Sequence, residues 1–277
     1  MQNKAREPVI IKGCRTPIGK FLGGLSVLSA SDLGALVIKS LLEKTGIDPK
    51  NVDEVVMGNV IGTGVGQAPA RQASIKGGVP ESVPALTINK VCGSGLKAVM
   101  LAAQAIRAGD ANMVIAGGME SMSNAPFYLR GMRAGVKFGN QKIEDALVSD
   151  GLWCAFGDCH MGTHAEYTAR KGSISREEAD EFPLRSHNLA VQAASQGKFE
   201  NEIIPVACEN AQQDVVNDEG PRKDTSLSTL GRLKPAFPDA AREYPGGLTI
   251  TAGNSAGLND GAAGFVVASR GFAEAHG

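Results

Sequence analysis

An α/β fold is what this sequence predicts, on three observations. β-prone apolar runs alternate with helix-period runs from Pro8 to Gly118. A helix-prone stretch opening at Gly93 is apolar on nearly every face. Strand pattern then returns near the end, after a long stretch punctuated by glycine, proline and methionine. Alternating strand and helix imply parallel neighbours in the sheet. A helix apolar all round implies cover on both its sides.

The elements follow in order. Pro8 to Lys12 carries a Val-Ile-Ile run and reads as a buried strand. Ser31-Asp32 opens a helix in which Leu33, Leu36, Val37, Leu41 and Leu42 recur at helical spacing until Gly46 stops it. Val55 to Ile61 is a second strand, and Gly62, Gly64 and Gly66 lead into a short helix over Pro69 to Lys76, closed by Gly77-Gly78. Ala85 to Val91 is the third strand, Gly93 to Arg107 the next helix, and Met113 to Ala116 a fourth strand running into Gly117-Gly118. That helix carries Leu96, Ala98, Val99, Met100, Leu101, Ala102, Ala103, Ala105 and Ile106, which marks it as buried all round.

From Glu120 to about Gly247 the pattern reads as an inserted region with one long helix, Ser175 its N-cap and Glu178 the capping-box partner. Pro183 falls inside that helix. An interior proline costs about 3 kcal/mol, so a bend or a late helix start is expected there. Leu248 to Thr251 and Gly264 to Ala268 read as two further strands around the glycine-rich turn Ala252 to Gly261.

Composition narrows the function classes. In 277 residues, 43% are apolar and 21% charged, enough for one large domain or two ordinary ones with a filled core. A net charge of -1 with no basic stripe argues against nucleic-acid binding. Met1 to Pro8 is polar, unlike a secretory leader, and no stretch is apolar enough to span a membrane, so the expected setting is cytoplasmic. Cys14, Cys92, Cys154, Cys159 and Cys208 form an odd, irregularly spaced set and are expected to be thiols.

The candidate nucleophile is Cys92, in Asn89-Lys90-Val91-Cys92-Gly93-Ser94-Gly95-Leu96, where a β-prone run gives way to a helix-prone one. Exposed amide N–H groups and the positive end of the helix dipole favour a charged sulfur there, and flanking glycines let a carbonyl approach. The competing reading is a buried cysteine acting as a small apolar side chain.

Other strings carry less. Cys154, Cys159, His160 and His164 have residue types that suit zinc, but their spacing fits no compact zinc pattern; a loop lining a pocket reads equally well, and no metal is expected. Gly62 to Gly66 fails the dinucleotide spacing, and no Walker loop exists. Arg222 and Lys223, then Ser226, Ser228, Thr229, Arg232 and Lys234, could hold a phosphorylated ligand; a solvated loop is the commoner outcome for such composition.

Taken together, several strings resemble the thiolase family, and most closely its acetyl-CoA acetyltransferases, over essentially the whole chain. Arg15-Thr16-Pro17-Ile18-Gly19-Lys20-Phe21 looks like the family's opening segment, Val91-Cys92-Gly93-Ser94-Gly95-Leu96-Lys97 like its nucleophile motif, and Gly117-Gly118-Met119-Glu120-Ser121-Met122-Ser123 like the strand exit into its loop domain. His160-Met161-Gly162, Leu233-Lys234-Pro235-Ala236-Phe237 and Thr251-Ala252-Gly253-Asn254 extend the likeness in the same order.

The resemblance implies a thiolase-like fold: one α/β half, a mixed sheet with helices on both faces, over 1–121 and 248–277, with a CoA-binding and oligomerisation loop domain inserted over 122–247. It implies that Cys92 takes an acyl group from acetyl-CoA and passes it to a second acetyl-CoA, giving acetoacetyl-CoA plus CoA, or back to CoA. CoA thioesters are then the substrates and no cofactor is expected. The CoA contacts it implies are Arg222 and Thr229 at the nucleotide end, Leu152, His160 and Met161 near the pantetheine, and Ala252 with Gly253 in the turn beside it.

Departures from the family pattern also matter. Ser255-Ala256-Gly257 stands where the family often has Ala-Ser-Gly, and Thr229 stands where serine is usual. The Asn-Glu-Ala-Phe, Gly-His-Pro and Cys-x-Gly-Gly segments of a second thiolase half are absent from the 277 residues. The chain is therefore expected to be a poor catalyst alone and to need a polypeptide carrying that half. The Cys92 helix is expected to leave an apolar face recruited into homo-oligomers. The rival expectations are a non-catalytic acyl-CoA-binding or interaction protein and a ketosynthase-like condensing enzyme, whose two downstream histidines are equally missing.

Overall fold

The computed structural model describes residues 4–207, 214–242, 244 and 247–276. Cys208 lies outside the described residues. The chain forms two compact units, the first Met1–Gly151, Glu200–Glu219 and Asn259–Gly277, the second Leu152–Phe199 and Gly220–Leu258. Residues 122–151, 200–207 and 214–219 thus cluster with the first unit and 248–258 with the second, whereas the sequence reading divides the chain at 121 and 248.

In chain order the strands are β1 (Pro8–Arg15), β2 (Gly19–Lys20), β3 (Glu54–Gly58), β4 (Ala85–Ile88), β5 (Met113–Ser121), the pair β6 (Phe127–Leu129) and β7 (Ile143–Asp145), the second unit's pair β8 (Trp153–Cys154) and β9 (Cys159–His160), and β10 (Asn259–Ser269). The main sheet has the order β1-β10-β5-β3-β4, with β2 also on β10. β3 runs parallel to both β4 and β5, while β10 lies antiparallel between β1 and β5, so the sheet is mixed.

Helices cover both faces, and the alternation of side chains along each strand sorts the core. Val55, Met57, Met113, Ile115, Val266 and Ala268 pack with Leu33, Val37, Ile38 and Leu41 of α1 (Ala30–Thr45) and with Ala70 and Ala73 of α2 (Pro69–Lys76). Val56, Val114, Ala116 and Val267 point the other way, onto Ala98, Ala102 and Ile106 of α3 (Ser94–Ala108). α1 begins under a capping box between Ser29 and Asp32, two residues before the expected start, and ends at Gly46 in the left-handed region.

Differences from the sequence reading have identifiable causes. β3 stops at Gly58 rather than Ile61 because the Val60 and Ile61 N–H groups donate to the Glu120 carboxylate at 2.8 and 3.3 Å. β4 stops at Ile88 rather than Val91, because Val91 takes a positive φ of 49°. β5 continues through Gly117-Gly118 to Ser121, sheltered between β3 and β10. β10 likewise starts at Asn259, inside the expected turn. The expected strand Leu248 to Thr251 does not form: the Thr249 and Ile250 N–H groups donate to Glu166, leaving only a single bridge between Pro235 and Thr251.

α3 is not buried all round. Ser94, Ala98, Ala102 and Ile106 face the sheet, while Leu96 and Met100 on the opposite side are exposed, Leu96 by 71%.

The second unit holds α4 (Met161–Lys171), α5 (Arg176–Ser195) and α6 (Leu227–Gly231); the short α7 (Arg270–His276) follows β10 in the first. α5 opens at the expected Ser175–Glu178 capping box and runs through Pro183, which gives up the helix bond to the carbonyl four residues earlier.

The start of α3 lies against a strip of sheet without side chains. A Cβ on Gly58 would sit 2.6 Å from the Ser94 Cβ and 2.8 Å from the Gly95 nitrogen, and one on Gly118 would sit 3.1 Å from the Gly95 Cα. Gly58→Ala is therefore expected to lift the first turn of α3, at about 1–3 kcal/mol of stability. Denaturant melting and the rate of Cys92 alkylation check this; unchanged values in both would refute the close contact.

Candidate active site

Cys92 occupies the turn between β4 and α3, and its side chain is exposed. The turn is built by hydrogen bonds that flank the cysteine. Ser94 Oγ donates to the Val91 carbonyl at 2.6 Å and accepts from the Lys90 N–H at 2.8 Å. Asn89 Oδ1 accepts from the Val91 N–H at 2.9 Å, and its Nδ2 donates to the Val60 carbonyl at 3.0 Å. Val91 is thereby held in the left-handed region, which a β-branched residue enters only at a cost. α3 follows with Gly93 as N-cap, so the amides of its first turn lie next to the sulfur-bearing residue.

Glu120 closes the neighbouring loop. Burial pushes its carboxyl up, and the Val60 and Ile61 N–H groups and Asn59 Nδ2 partly offset this. Cys14, by contrast, is buried in the core, its thiol pushed up by burial and donating to the Val37 carbonyl. Of these two, only Cys92 is open to a reagent.

The other seven candidates, Leu152, His160, Met161, Arg222, Thr229, Ala252 and Gly253, all fall in the second unit. There His160 is the best defined. It caps α4, its Nδ1 accepting the Gly162 N–H at 3.0 Å, and its ring stacks on Phe237 at 4.7 Å between centroids. Since an amide N–H can only donate, Nδ1 must be the bare nitrogen, and the neutral ring carries its proton on Nε2. Burial lowers the His160 pKa, which favours that neutral form. Gly162 is required beneath it, because a Cβ there would overlap the Phe237 ring.

Contacts link most of the remaining candidates. The Pro235–Thr251 bridge joins the Phe237 segment to the turn of Ala252 and Gly253. A Cβ on Gly253 would lie 2.5 Å from both Leu230 and Leu233, next to Thr229 of α6. The Thr229 hydroxyl is already engaged with Ser226, donating to its carbonyl at 2.8 Å and accepting its N–H at 3.1 Å. Leu152 leads directly into β8. Arg222 is exposed, and its backbone N–H donates to His187 Nδ1 of α5 at 3.2 Å.

Sequence reasoning missed two residues that hold this turn. Buried Glu166 of α4 accepts the Thr249 and Ile250 N–H groups, each at 2.8 Å. Buried Asp180 of α5 accepts from Asn254 Nδ2 and from Arg176 Nε, both at 2.8 Å. Arg176 also donates to the Leu230 and Leu233 carbonyls. Arg176 and Asp180 stand at i,i+4 spacing, a local signal of an ion pair, but the partners of both acids in the turn lie some 75 to 85 residues away, which no local pattern reveals.

Among the described residues no group of three or more His, Cys, Asp or Glu side chains is arranged to hold a metal ion. His160 turns to Gly162 and Phe237, while Cys159 Sγ approaches His164 Nε2 at 3.6 Å.

A sequence profile described as "Thiolase, N-terminal domain" matches residues 8–271. The chain is 50% identical over 264 residues to an acetyl-CoA acetyltransferase of Cupriavidus necator, covering 94% of this chain and 65% of that one. It is 46% identical over 275 residues to one of Pseudomonas aeruginosa, covering 98% and 68%, and 49% identical over 262 residues to one of Thiocystis violacea, covering 94% and 65%. The chain thus spans about two thirds of the length of these relatives.

His160 yields a pH prediction. Its folded-state pKa lies below the ordinary 6.5, so the unfolded chain takes up a proton first as pH falls. The contribution to stability is present above 6.5 and is lost as pH falls toward the folded value. Imidazole NMR should give a midpoint below 6.5 with the proton on Nε2, and His160→Ala should flatten the corresponding slope in melts; a midpoint at or above 6.5 would refute it.

Proposed function

The chain belongs to the thiolase family, through that family's amino-terminal domain, and from this premise we propose that it carries the acyl-accepting centre of an acetyl-CoA acetyltransferase. The reaction is condensation of two acetyl-CoA to acetoacetyl-CoA plus CoA, and the reverse thiolysis, through an acyl-thioester on Cys92. The observation that carries this reading is an exposed cysteine directly ahead of α3, on a turn held by Ser94 and Asn89.

In the first step the Cys92 sulfur attacks the thioester carbonyl, and negative charge develops on its oxygen. Backbone N–H groups at the head of a helix suit that charge. Collapse expels the CoA thiolate and leaves the acyl group on Cys92. Attacking and leaving sulfurs are alike, so the step is reversible.

The proposed CoA contacts are Leu152, His160 and Met161 for the pantetheine arm, Ala252 and Gly253 beside it, and Arg222 and Thr229 for the nucleotide end. A neutral His160 with its proton on Nε2 is suited to donate to an uncharged pantetheine carbonyl. Arg222 offers a guanidinium for phosphate oxygens. At Thr229 the methyl accompanies a hydroxyl already bonded to Ser226, so its contribution is positional.

Carbon–carbon bond formation also needs groups to move protons. A positioned acid or base contributes about 10²–10⁴-fold, and the histidine and cysteine expected from the resemblance are not among these 277 residues. We propose that a second thiolase half supplies them. Exposed Leu96 and Met100 on α3 are consistent with a partner surface, either that half or another copy. The proposed setting is cytoplasmic; no helix among the described residues is long and apolar enough to cross a membrane.

Incubation with acetyl-CoA should add one acetyl group to the intact mass, lost in Cys92→Ser. CoA binding with no adduct would overturn acyl transfer in favour of a binding protein. Acetoacetyl-CoA cleavage by this polypeptide should be feeble; turnover matching a full-length thiolase would overturn the need for a second half.

A further inference from the structure

The acyl-transfer reading leaves two cysteines and a histidine of the second unit unused. Cys154 and Cys159 face each other as register partners across the antiparallel pair β8–β9, closed by the four residues 155–158. Directly opposed residues on antiparallel strands have Cα atoms about 4.5–5.5 Å apart, and a disulfide spans about 4.4–6.8 Å. No disulfide joins the described cysteines. The hairpin therefore holds two thiols on directly opposed residues, whose ordinary Cα spacing falls within the range a disulfide spans.

A third group lies with them. His164, on the first turn of α4, brings Nε2 to 3.6 Å from Cys159 Sγ. The Gly157 N–H donates to Cys154 Sγ at 3.3 Å. A Cβ on Gly157 would sit 3.2 Å from His164 Nε2 and 3.3 Å from Cys159 Sγ, so this glycine backbone packs against all three side chains. The loop is fixed by Trp153 Nε1 donating to Asp158 at 3.0 Å, and Asp158 takes a positive φ of 46°. The hydrogen bonds from Gly157 and His164 hold the Cys154 thiol below its ordinary range, which favours thiolate. Both sulfurs are half-buried at the surface of the unit, within reach of a small reagent.

We propose that Cys154, Cys159 and His164 form a thiol–disulfide exchange site that takes a low-molecular-weight disulfide as its oxidant and closes to a Cys154–Cys159 bridge. Cys154 thiolate, its proton given to solvent, attacks one sulfur of the small disulfide. A mixed disulfide forms and one small thiolate leaves, protonated by solvent. The Cys159 thiol then gives its proton to His164 Nε2 and attacks Cys154 Sγ. That forms the cross-strand bond and expels the second small thiolate, which collects the proton from His164. Two protein thiols are oxidised and one disulfide is reduced to two thiols, so atoms and electrons balance.

This exchange is chemically independent of acyl transfer at Cys92, and its readout is separate. Purified chain is treated with oxidised glutathione, alkylated and digested, and the cysteine peptides are mapped by mass. The expected result is a linked Cys154–Cys159 product lighter by two hydrogens and reopened by dithiothreitol, whether or not Cys92 is also modified. Cys159→Ser should instead trap glutathione on Cys154, and His164→Asn should slow closure by about 10²-fold at neutral pH without stopping it. Wild-type protein in which both thiols remain alkylatable, or in which glutathione stays on Cys154 unresolved, would overturn the proposal.

Discussion

Everything about the position of Cys92 depends on how closely the first turn of α3 approaches the sheet. Gly58 on β3, Gly118 on β5 and Gly95 on the helix meet backbone to backbone; a Cβ on Gly58 would clash with Ser94 at 2.6 Å, and one on Gly118 would press on the Gly95 Cα at 3.1 Å. Sheet and helix normally keep a side chain's width between them, as they do further along α3 where Ala98, Ala102 and Ile106 fill the gap. At its amino end the helix lies directly on bare strand. Its first amides and the preceding turn are thereby set directly against β3 and β5.

The second unit uses a different device. Its candidate ligand-facing turn has no strand pairing beyond one bridge, so its backbone donors need other partners. Glu166 and Asp180 meet that need with buried carboxylates, and Arg176 ties Asp180 to the end of α6. Buried acids are costly unless fully hydrogen-bonded, and here each accepts two donors. Polar scaffolding of this kind defines one backbone path for Ala252 and Gly253 where apolar packing alone would permit several.

The regular framework was legible in the residues because local signals and tertiary packing agree there. The helix over Pro69 to Lys76 has the bounds its proline start and glycine stop predict, and the Ser175–Glu178 box opens α5 as expected. The misreadings cluster where a distant side chain captures backbone donors. Glu120 ends β3 early, and Glu166 abolishes the strand at Leu248 to Thr251; neither event leaves a trace within a short window. The Cys92 helix was misjudged for another reason: apolar composition reports a tendency to be covered, not the presence of the cover, and Leu96 and Met100 remain open. At the candidate site the sequence placed Cys92 at a strand-to-helix turn but did not single out Ser94 and Asn89, the residues that shape that turn.

Val91 has one more bearing, on how this protein can be engineered. A β-branched residue at φ 49° stores about 1–3 kcal/mol of backbone strain, immediately before the exposed cysteine. A search for heat-tolerant variants would find relief at that position attractive, since glycine accepts the same dihedral freely. The gain would come from loosening the turn that carries Cys92, so at a single side chain thermal robustness trades against a fixed placement of the sulfur.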